Sequence, residues 1–412
     1  MIRIAQLVGF VLAASPALAL GQDAAVAAAA ADDAEAELDA VEAGSSTDRA
    51  GPDGPLPEPG RDPFRFAPHG LLQVMAVPYV GRNPFAERPY TDSRILAGDP
   101  ANVEGFVLRR ARLGVDGTLA ADVSYTLWLE FHDSQDSSGA ARLLDAALSW
   151  DAAAYASVAA GLGKIPFSKG WVTPAAMLQL PERPFALRQL DVRPIVPDRS
   201  LGTWVSGDLG AVNYAGGVWN GSPGLTDGDD NGGFLFAARL EATPLGPTGA
   251  AQSAFFPEED GYDRVRLAVG GGVYWNDDAA GDQLSYGADV TFKWRRLSLL
   301  AELLQSRFDP AAAPPVPSGA RARIDQRAIY GQLGFFVLEG RLELAGRAES
   351  LDRELASTTD PGVLAFTGGA NLFLARHSLK LMAAFTHRRE PEVSRAGQAK
   401  NHSAVLMLQG SF

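Results

Sequence analysis

Residues 404–412 read Ala404-Val405-Leu406-Met407-Leu408-Gln409-Gly410-Ser411-Phe412. In an extended strand side chains alternate with a period of two, so Ala404, Leu406, Leu408, Gly410 and Phe412 share one face. Val405, Met407, Gln409 and Ser411 take the other. A soluble domain gains little from finishing on an exposed aromatic ring, whereas a strand that ends at a bilayer interface places that ring where it is favoured. The stretch therefore predicts a membrane-crossing strand.

The same period recurs upstream. Tyr125, Leu127, Leu129 and Phe131 alternate with Ser124, Thr126, Trp128 and Glu130. In residues 283–294, Tyr286, Ala288, Val290, Phe292 and Trp294 alternate with Ser285, Gly287, Asp289, Thr291 and Lys293, and Arg341–Leu351 repeats the pattern. Segments of about ten residues suffice to cross a bilayer at the usual tilt. Their second faces carry charge, which a dry sandwich core would not tolerate in such numbers and a water-filled lumen would. A soluble all-β domain of this length should instead bury one apolar face and carry fewer aromatic rings at strand ends.

Sixteen such segments are expected, near residues 70–80, 105–119, 123–132, 141–150, 156–165, 200–207, 211–219, 233–242, 264–276, 283–294, 296–306, 324–337, 341–350, 363–374, 378–388 and 402–412. Ala120–Asp122, Asp208–Gly210 and Ala375–Ser378 are short connections, whereas 81–104, 166–199 and 307–323 are long. Short periplasmic turns alternating with long outer loops are the pattern of a transmembrane barrel. The expected fold is all-β, a 16-stranded antiparallel transmembrane β-barrel over residues 63–412. An even strand count brings both ends of the sheet to the periplasmic rim.

Residues 1–19 read as a cleavable export signal. Arg3 is the basic start, Ile4–Ala14 is nearly unbroken apolar sequence, and Ala17-Leu18-Ala19 gives a small-x-small cleavage site. Residues 20–62 form an acidic Ala/Pro-rich tail and linker of low order. Eleven Asp and Glu against two Arg in this stretch hold most of the net charge of −13. The Ala-rich part is helical by propensity or stays solvated. Cysteine is absent, excluding disulfide frameworks and thiolate chemistry. No run of about 18 apolar residues follows the signal, and no basic stripe suggests nucleic acid as a partner.

Two motifs fail on inspection. Asp227-Gly228-Asp229-Asp230-Asn231-Gly232 matches the start of a calcium loop, but Ala238 stands where the bidentate acid belongs. Gly161-Leu162-Gly163-Lys164 lacks the first glycine of a phosphate-cradling loop, with Val158 in its place, and Ile165 replaces the Ser/Thr. His69, His132, His377, His387 and His402 are scattered without metal-ligand spacing. No cofactor, metal or catalytic function is expected.

Phe106–Leu119 (FVLRRARLGVDGTL) followed by SYTLWLEF resembles the opening hairpin of the phosphate-selective porin O and P family, and the terminal Phe412 resembles the ends of bacterial outer-membrane proteins generally. Gly161–Ser168 resembles that family's G-Q-F-K-x-P-F-S run with Leu-Gly for Gln-Phe. Pro197–Gly202 resembles its turn into the sixth strand with Ser200 for the usual acid. Leu144-Asp145-Ala146, Phe236–Leu240 and Gly369–Leu374, continuing to His377 and Leu379–Leu381, follow in family order. The resemblance implies an outer-membrane homotrimer of sixteen-stranded barrels, each a passive channel narrowed by inward loops, with arginines that pass small anions such as phosphate. A barrel with a mainly structural or adhesive role is the alternative.

Guanidinium groups suit an oxyanion path because they stay charged and offer a planar fork of donors. Arg110 and Arg112 share a face with Asp116 and Thr118, which predicts the lumen for both, while Arg109 falls on the lipid-facing set and is expected near an interface or snorkelling. The long loop from Ser168 contributes Arg183, Arg188, Arg193 and Arg199 as further pore-lining candidates, along with Glu182, Asp191 and Asp198. For the strand arginines two roles stay open, ion selection or bracing of the wall against Glu130, Asp145 and Glu241.

Overall fold

The structure, a computed structural model, describes residues 64–82, 104–133, 141–188, 194–223, 232–311, 323–354, 362–389 and 400–412. The export signal, the acidic tail, Arg193 and Asp227–Asn231 lie outside the described residues.

Sixteen antiparallel strands close into a barrel in sequence order, with β1 returning to pair with β16. They are β1 (Arg65–Arg82), β2 (Gly105–Ala120), β3 (Val123–Asp133), β4 (Arg142–Ala153), β5 (Ala156–Lys164), β6 (Arg199–Asp208), β7 (Val212–Trp219), β8 (Leu235–Ala242), β9 (Arg266–Asn276), β10 (Gly281–Trp294), β11 (Leu297–Pro310), β12 (Ile324–Leu338), β13 (Leu342–Glu354), β14 (Val363–Ala375), β15 (Leu379–Arg389) and β16 (Lys400–Ser411). Each expected segment is one of these strands. Among the described residues no helix is long and apolar enough to cross a membrane; the strands do so.

Alternation sets the two faces. On β16, Leu406 and Leu408 are exposed on the outer surface while Val405, Met407 and Gln409 are buried inside. Phe66, Trp150, Tyr155, Trp294 and Phe412 lie exposed at the rim of short turns, and Phe106, Phe131, Phe234 and Phe385 toward the other, as two aromatic girdles at the bilayer interfaces require. Tight turns use left-handed backbone where needed, as at Gly210 (φ 87°) between β6 and β7.

Two features depart from expectation. Residues 243–265, joining β8 to β9 at the short-turn rim, form a long connection. And much of the lumen is filled by protein. Inward side chains of β9 to β14 are buried almost without exception, whereas those of β4 and β7 are largely half-buried. The cause is two inward segments, the loop between β5 and β6 and part of the 243–265 connection, which pack mainly against the β9 to β14 side of the barrel.

Candidate functional site: the lumen and its inward loop

The loop between β5 and β6 folds into the barrel. Ile165 and Phe167 bury as the chain leaves β5, and Ser168 caps a single helical turn, α1 (Lys169–Val172), its Oγ accepting from Trp171 N at 3.2 Å. The carboxylate of Glu302 on β11 meets this turn. It accepts from Ser168 Oγ (3.0 Å), Lys169 N (2.9 Å), Gly170 N (3.3 Å) and Tyr330 Oη (2.7 Å). A buried loop must find partners for its backbone polar groups, and here the wall supplies them. Lys380 Nζ donates to Ala176 O and Leu178 O at 2.7 and 2.9 Å, Gln409 Nε2 to Ala176 O at 3.0 Å, Asn371 Nδ2 to Gln179 O at 2.7 Å, and Arg347 Nη1 to Glu182 O at 2.8 Å. The charged second faces noted in the sequence thus serve largely to hold the loop. Trp171, Phe185, Leu187, Ile195 and Val196 complete the fit against Leu300, Leu304, Ala328, Leu351 and Ala365.

The long connection 243–265 enters from the other rim and meets the loop. Gln252 N donates to Met177 O at 3.0 Å, and Gln252 Oε1 accepts from Gln179 N and Gln332 Nε2 at 3.2 and 3.0 Å. Ser253 Oγ donates to Glu343 Oε2 at 2.9 Å, and Phe256 packs among Phe336, Phe373 and His377. Burial, together with the charges of Lys380, Lys293 and Arg376, pushes His377 well below the usual imidazole range and keeps it neutral.

The space left open lies against β2 to β6. Ser124, Thr126, Ala147, Ser149 and Ala159 present small side chains there, and an open cavity of about 110 Å³ lies between this wall and Val172 and Ala175 of the loop.

Of the candidate arginines, Arg112 and Arg199 border this space, while Arg110, Arg183 and Arg188 lie behind its surface. Arg112 forks onto Glu130, Nε to Oε1 at 2.7 Å and Nη2 to Oε2 at 3.2 Å. Arg199 forks onto Asp145 at 2.9 and 3.1 Å. Arg110 is buried, with Nη1 donating to Gln73 Oε1 at 2.7 Å. Arg183 is folded into the loop, donating to Gly170 O and Thr173 O, and Arg188 donates from Nε to Arg183 O at 2.8 Å while stacking over Phe185. Burial and the guanidiniums of Arg110, Arg112 and Arg199 pull Arg183 down to about 9, so it stays charged at neutral pH.

Arg109 is not on the lipid face. It is 1% exposed and forks onto Glu182 of the loop, Nε to Oε1 at 2.5 Å and Nη2 to Oε2 at 3.2 Å. The reason is a β-bulge. Gln73 pairs with Arg110 but Val74 pairs with Leu108, so Arg109 is an extra residue and the alternation of β2 flips at that point. Val107, which strict alternation sets on the lipid side, turns inward with it and packs on Met75, Val77 and Met407. The signal was present as two adjacent arginines, since one facing lipid costs about 2–4 kcal/mol near mid-membrane and a bulge avoids that. Lys164, Trp128 and Trp204 also line the open space, a role that the sequence did not assign to them. Arg239 is tied to Asp289 at 2.6 and 3.0 Å and to Glu241 at 2.8 Å, and Lys169 reaches Glu241 at 3.0 Å. Glu241 therefore braces these two cations and not Arg110 or Arg112.

The fold is shared with solved porins. The anion-selective porin from Comamonas acidovorans superposes with a TM-score of 0.53 at 12% identity, covering 85% of this chain and 100% of that one. The outer-membrane channel DcaP of Acinetobacter baumannii gives 0.51 at 12%, covering 85% and 97%. The outer-membrane protein OmpT of Vibrio cholerae lacking loop L8 gives 0.51 at 11%, covering 85% and 100%. At such identities the likeness concerns the fold. No curated protein matches the sequence. The model of the family described as phosphate-selective porin O and P matches residues 90–412, most of the chain and nearly all of the barrel. With the closed sixteen-strand barrel, its lipid-facing surface and its loop-narrowed lumen, the chain belongs to this family of outer-membrane porins.

Proposed function

We propose that this porin passes small hydrophilic anions, phosphate among them, down their gradient through the open side of the lumen, with the inward loop (residues 165–188 and 194–198) as the constriction. The observation that supports this is the local sign of charge. Beside the open space, Arg110, Arg112, Arg142, Lys164, Arg183 and Arg199 outnumber Asp116, Glu130, Asp145 and Asp198, in a chain whose net charge is −13, while the carboxylates of Glu302, Glu343 and Glu349 lie on the filled side of the loop. In a narrow, low-dielectric passage such an excess lowers the energy of an anion and raises that of a cation.

Arg112 and Arg199 combine the two roles left open by the sequence. Each is held by a carboxylate, which fixes its position, and each borders the open space. Arg110, Arg183 and Arg188 contribute field from behind the surface. A homotrimer, an export signal at residues 1–19 and an envelope-facing tail at 20–62 complete the proposal.

The test is reconstitution in a planar bilayer under a KCl gradient. Stepwise conductance with a reversal potential toward that of chloride is expected; a reversal potential toward that of potassium overturns the anion preference. Cross-linking of the native protein in its membrane tests the trimer.

A further inference from the structure

The open space is not uniformly polar. Its cations, Arg112, Lys164 and Arg199, stand beside two indoles, Trp128 and Trp204, and beside Leu144, Leu162 and Val172. Both indoles belong to the inward faces of their strands, and both lie against wall glycines. A Cβ on Gly114 would fall 2.3 Å from the ring of Trp128, and one on Gly163 would fall 3.0 Å from that of Trp204. Their orientation is fixed further. Trp128 Nε1 donates to Asp116 Oδ2 at 3.2 Å and its ring stacks on His69, while Trp204 stacks on Trp219 at 6.1 Å and 16°.

Hydrated phosphate gains nothing from such apolar surface, and a dianion approaching Arg112 or Arg199 also meets the carboxylate that each is paired with. Both forks bordering the space are closed on carboxylates, Arg112 on Glu130 and Arg199 on Asp145, each through Nε and Nη2. What remains is a moderately positive field next to the lumen-facing edges of two rigid indoles, Trp128 and Trp204, which are 5% and 8% exposed. That suits a single carboxylate attached to a hydrophobic or planar body, whose charge stays near the cations while its body rests on the indoles.

We infer that the space between the β2–β6 wall and α1 is a binding step for monovalent organic anions with an apolar body, aromatic carboxylates in particular, and that it takes them in preference to inorganic phosphate. The inference rests on the reading of the pore as anion-passing and names the class of anion it is built for.

The experiment is inhibition of chloride current through the reconstituted protein by added benzoate, acetate and phosphate, compared at one pH and ionic strength. Benzoate should halve the current at a concentration about threefold to tenfold below that of acetate, the range a single stacking contact supplies. Phosphate should be no better than acetate. In Trp204→Ala the difference between benzoate and acetate should shrink; the comparison in the unaltered protein carries the test if that variant fails to fold. Equal action of benzoate and acetate, or stronger action of phosphate, with a chloride-directed reversal potential, overturns this inference and leaves the anion pore standing. A potassium-directed reversal potential overturns both.

Discussion

Arg109 on β2 and Glu182 on the inward loop form a two-bond ion pair, at 2.5 and 3.2 Å, that ties the constriction to the barrel wall. Both side chains are nearly inaccessible, 1% and 7% exposed. Burial alone would raise the Glu182 carboxyl, but Arg109, Arg188 and Arg110 outweigh it and hold the group down at about 2. Removing one partner of such a pair leaves a buried charge uncompensated, at a cost of about 3–5 kcal/mol.

The first prediction concerns acid. With the loop undocked, Glu182 has its ordinary value near 4.5, so its folded value is depressed. A depressed carboxyl contributes stability that is complete above the undocked value and is lost as pH falls toward the docked one, here roughly 3 kcal/mol in full. Single-channel current should be steady at pH 7 and grow noisy between about pH 4.5 and 2 as the loop loosens. Arg109→Ala should be noisy at pH 7 already. Equal noise from pH 7 to 2 would show that this pair does not hold the loop.

The second prediction separates field from bracing. Glu130→Gln removes a carboxylate facing Arg112 and Arg142, at 2.7 and 3.5 Å, and leaves both cations in place. Anion preference should rise. Arg112→Ala should lower it, leaving Glu130 with the more exposed Arg142 alone. Reversal potentials in a KCl gradient should therefore move in opposite directions from wild type. Shifts of the same sign would mean that the pair acts only by shaping the wall.

How far the fold was legible follows from what each residue's face depends on. Tyr125 to Phe131 or Gln283 to Trp294 show their strand by alternation alone, because lipid on one side and protein or water on the other select side chains position by position. Arg110 and Arg112 were assignable to the lumen on the same ground. Arg109 was not, since its face is set by an extra residue against Gln73 and Val74, a matter of pairing between strands that one strand's pattern does not contain. Likewise Gln179, Lys380 and Asn371 appear in the sequence only as polar residues. Their function as loop anchors needs strands β14 and β15 brought beside a segment some two hundred residues earlier. The long connection 243–265 shows its length in the sequence but not its direction, which is set by Gln252 and Phe256 finding partners inside.

The third prediction concerns closure. Gly70 and Phe412 exchange two backbone hydrogen bonds, at 2.8 and 3.1 Å, and the Phe412 ring covers Gly70 so closely that a Cβ there would fall 2.4 Å from it. Aromatic cover of a strand glycine on the outer face supports the pairing of β1 with β16. Phe412→Ala should lower the stability of the barrel by roughly 1 kcal/mol through lost apolar contact. Gly70→Val should act similarly by displacing the ring. Loss of the folded, fast-migrating species on unheated gels should occur at a lower temperature for both, and an unchanged transition for both would show that the ring does not support closure.

The fourth prediction concerns the segment that rises from the short-turn rim. Residues 248–256 meet the inward loop through Gln252 and Met177 and occupy the side of the lumen bounded by Ser298, Gln332 and Glu343. Inward side chains along β11 to β14 are buried because these two segments cover them. If the segment seals that side, replacing residues 247–257 with a short Gly-Ser link should open a second water path beside the first, and conductance should rise roughly twofold. Lys293, which donates to Ala251 O at 2.7 Å, and Glu343, which accepts from Ser253, would then face water. The new path therefore carries one cation and one carboxylate in place of the arginine excess of the first. Reversal potential should move toward zero as conductance rises. A conductance gain with unchanged anion preference would instead mean that the segment narrows the existing path and does not close off another.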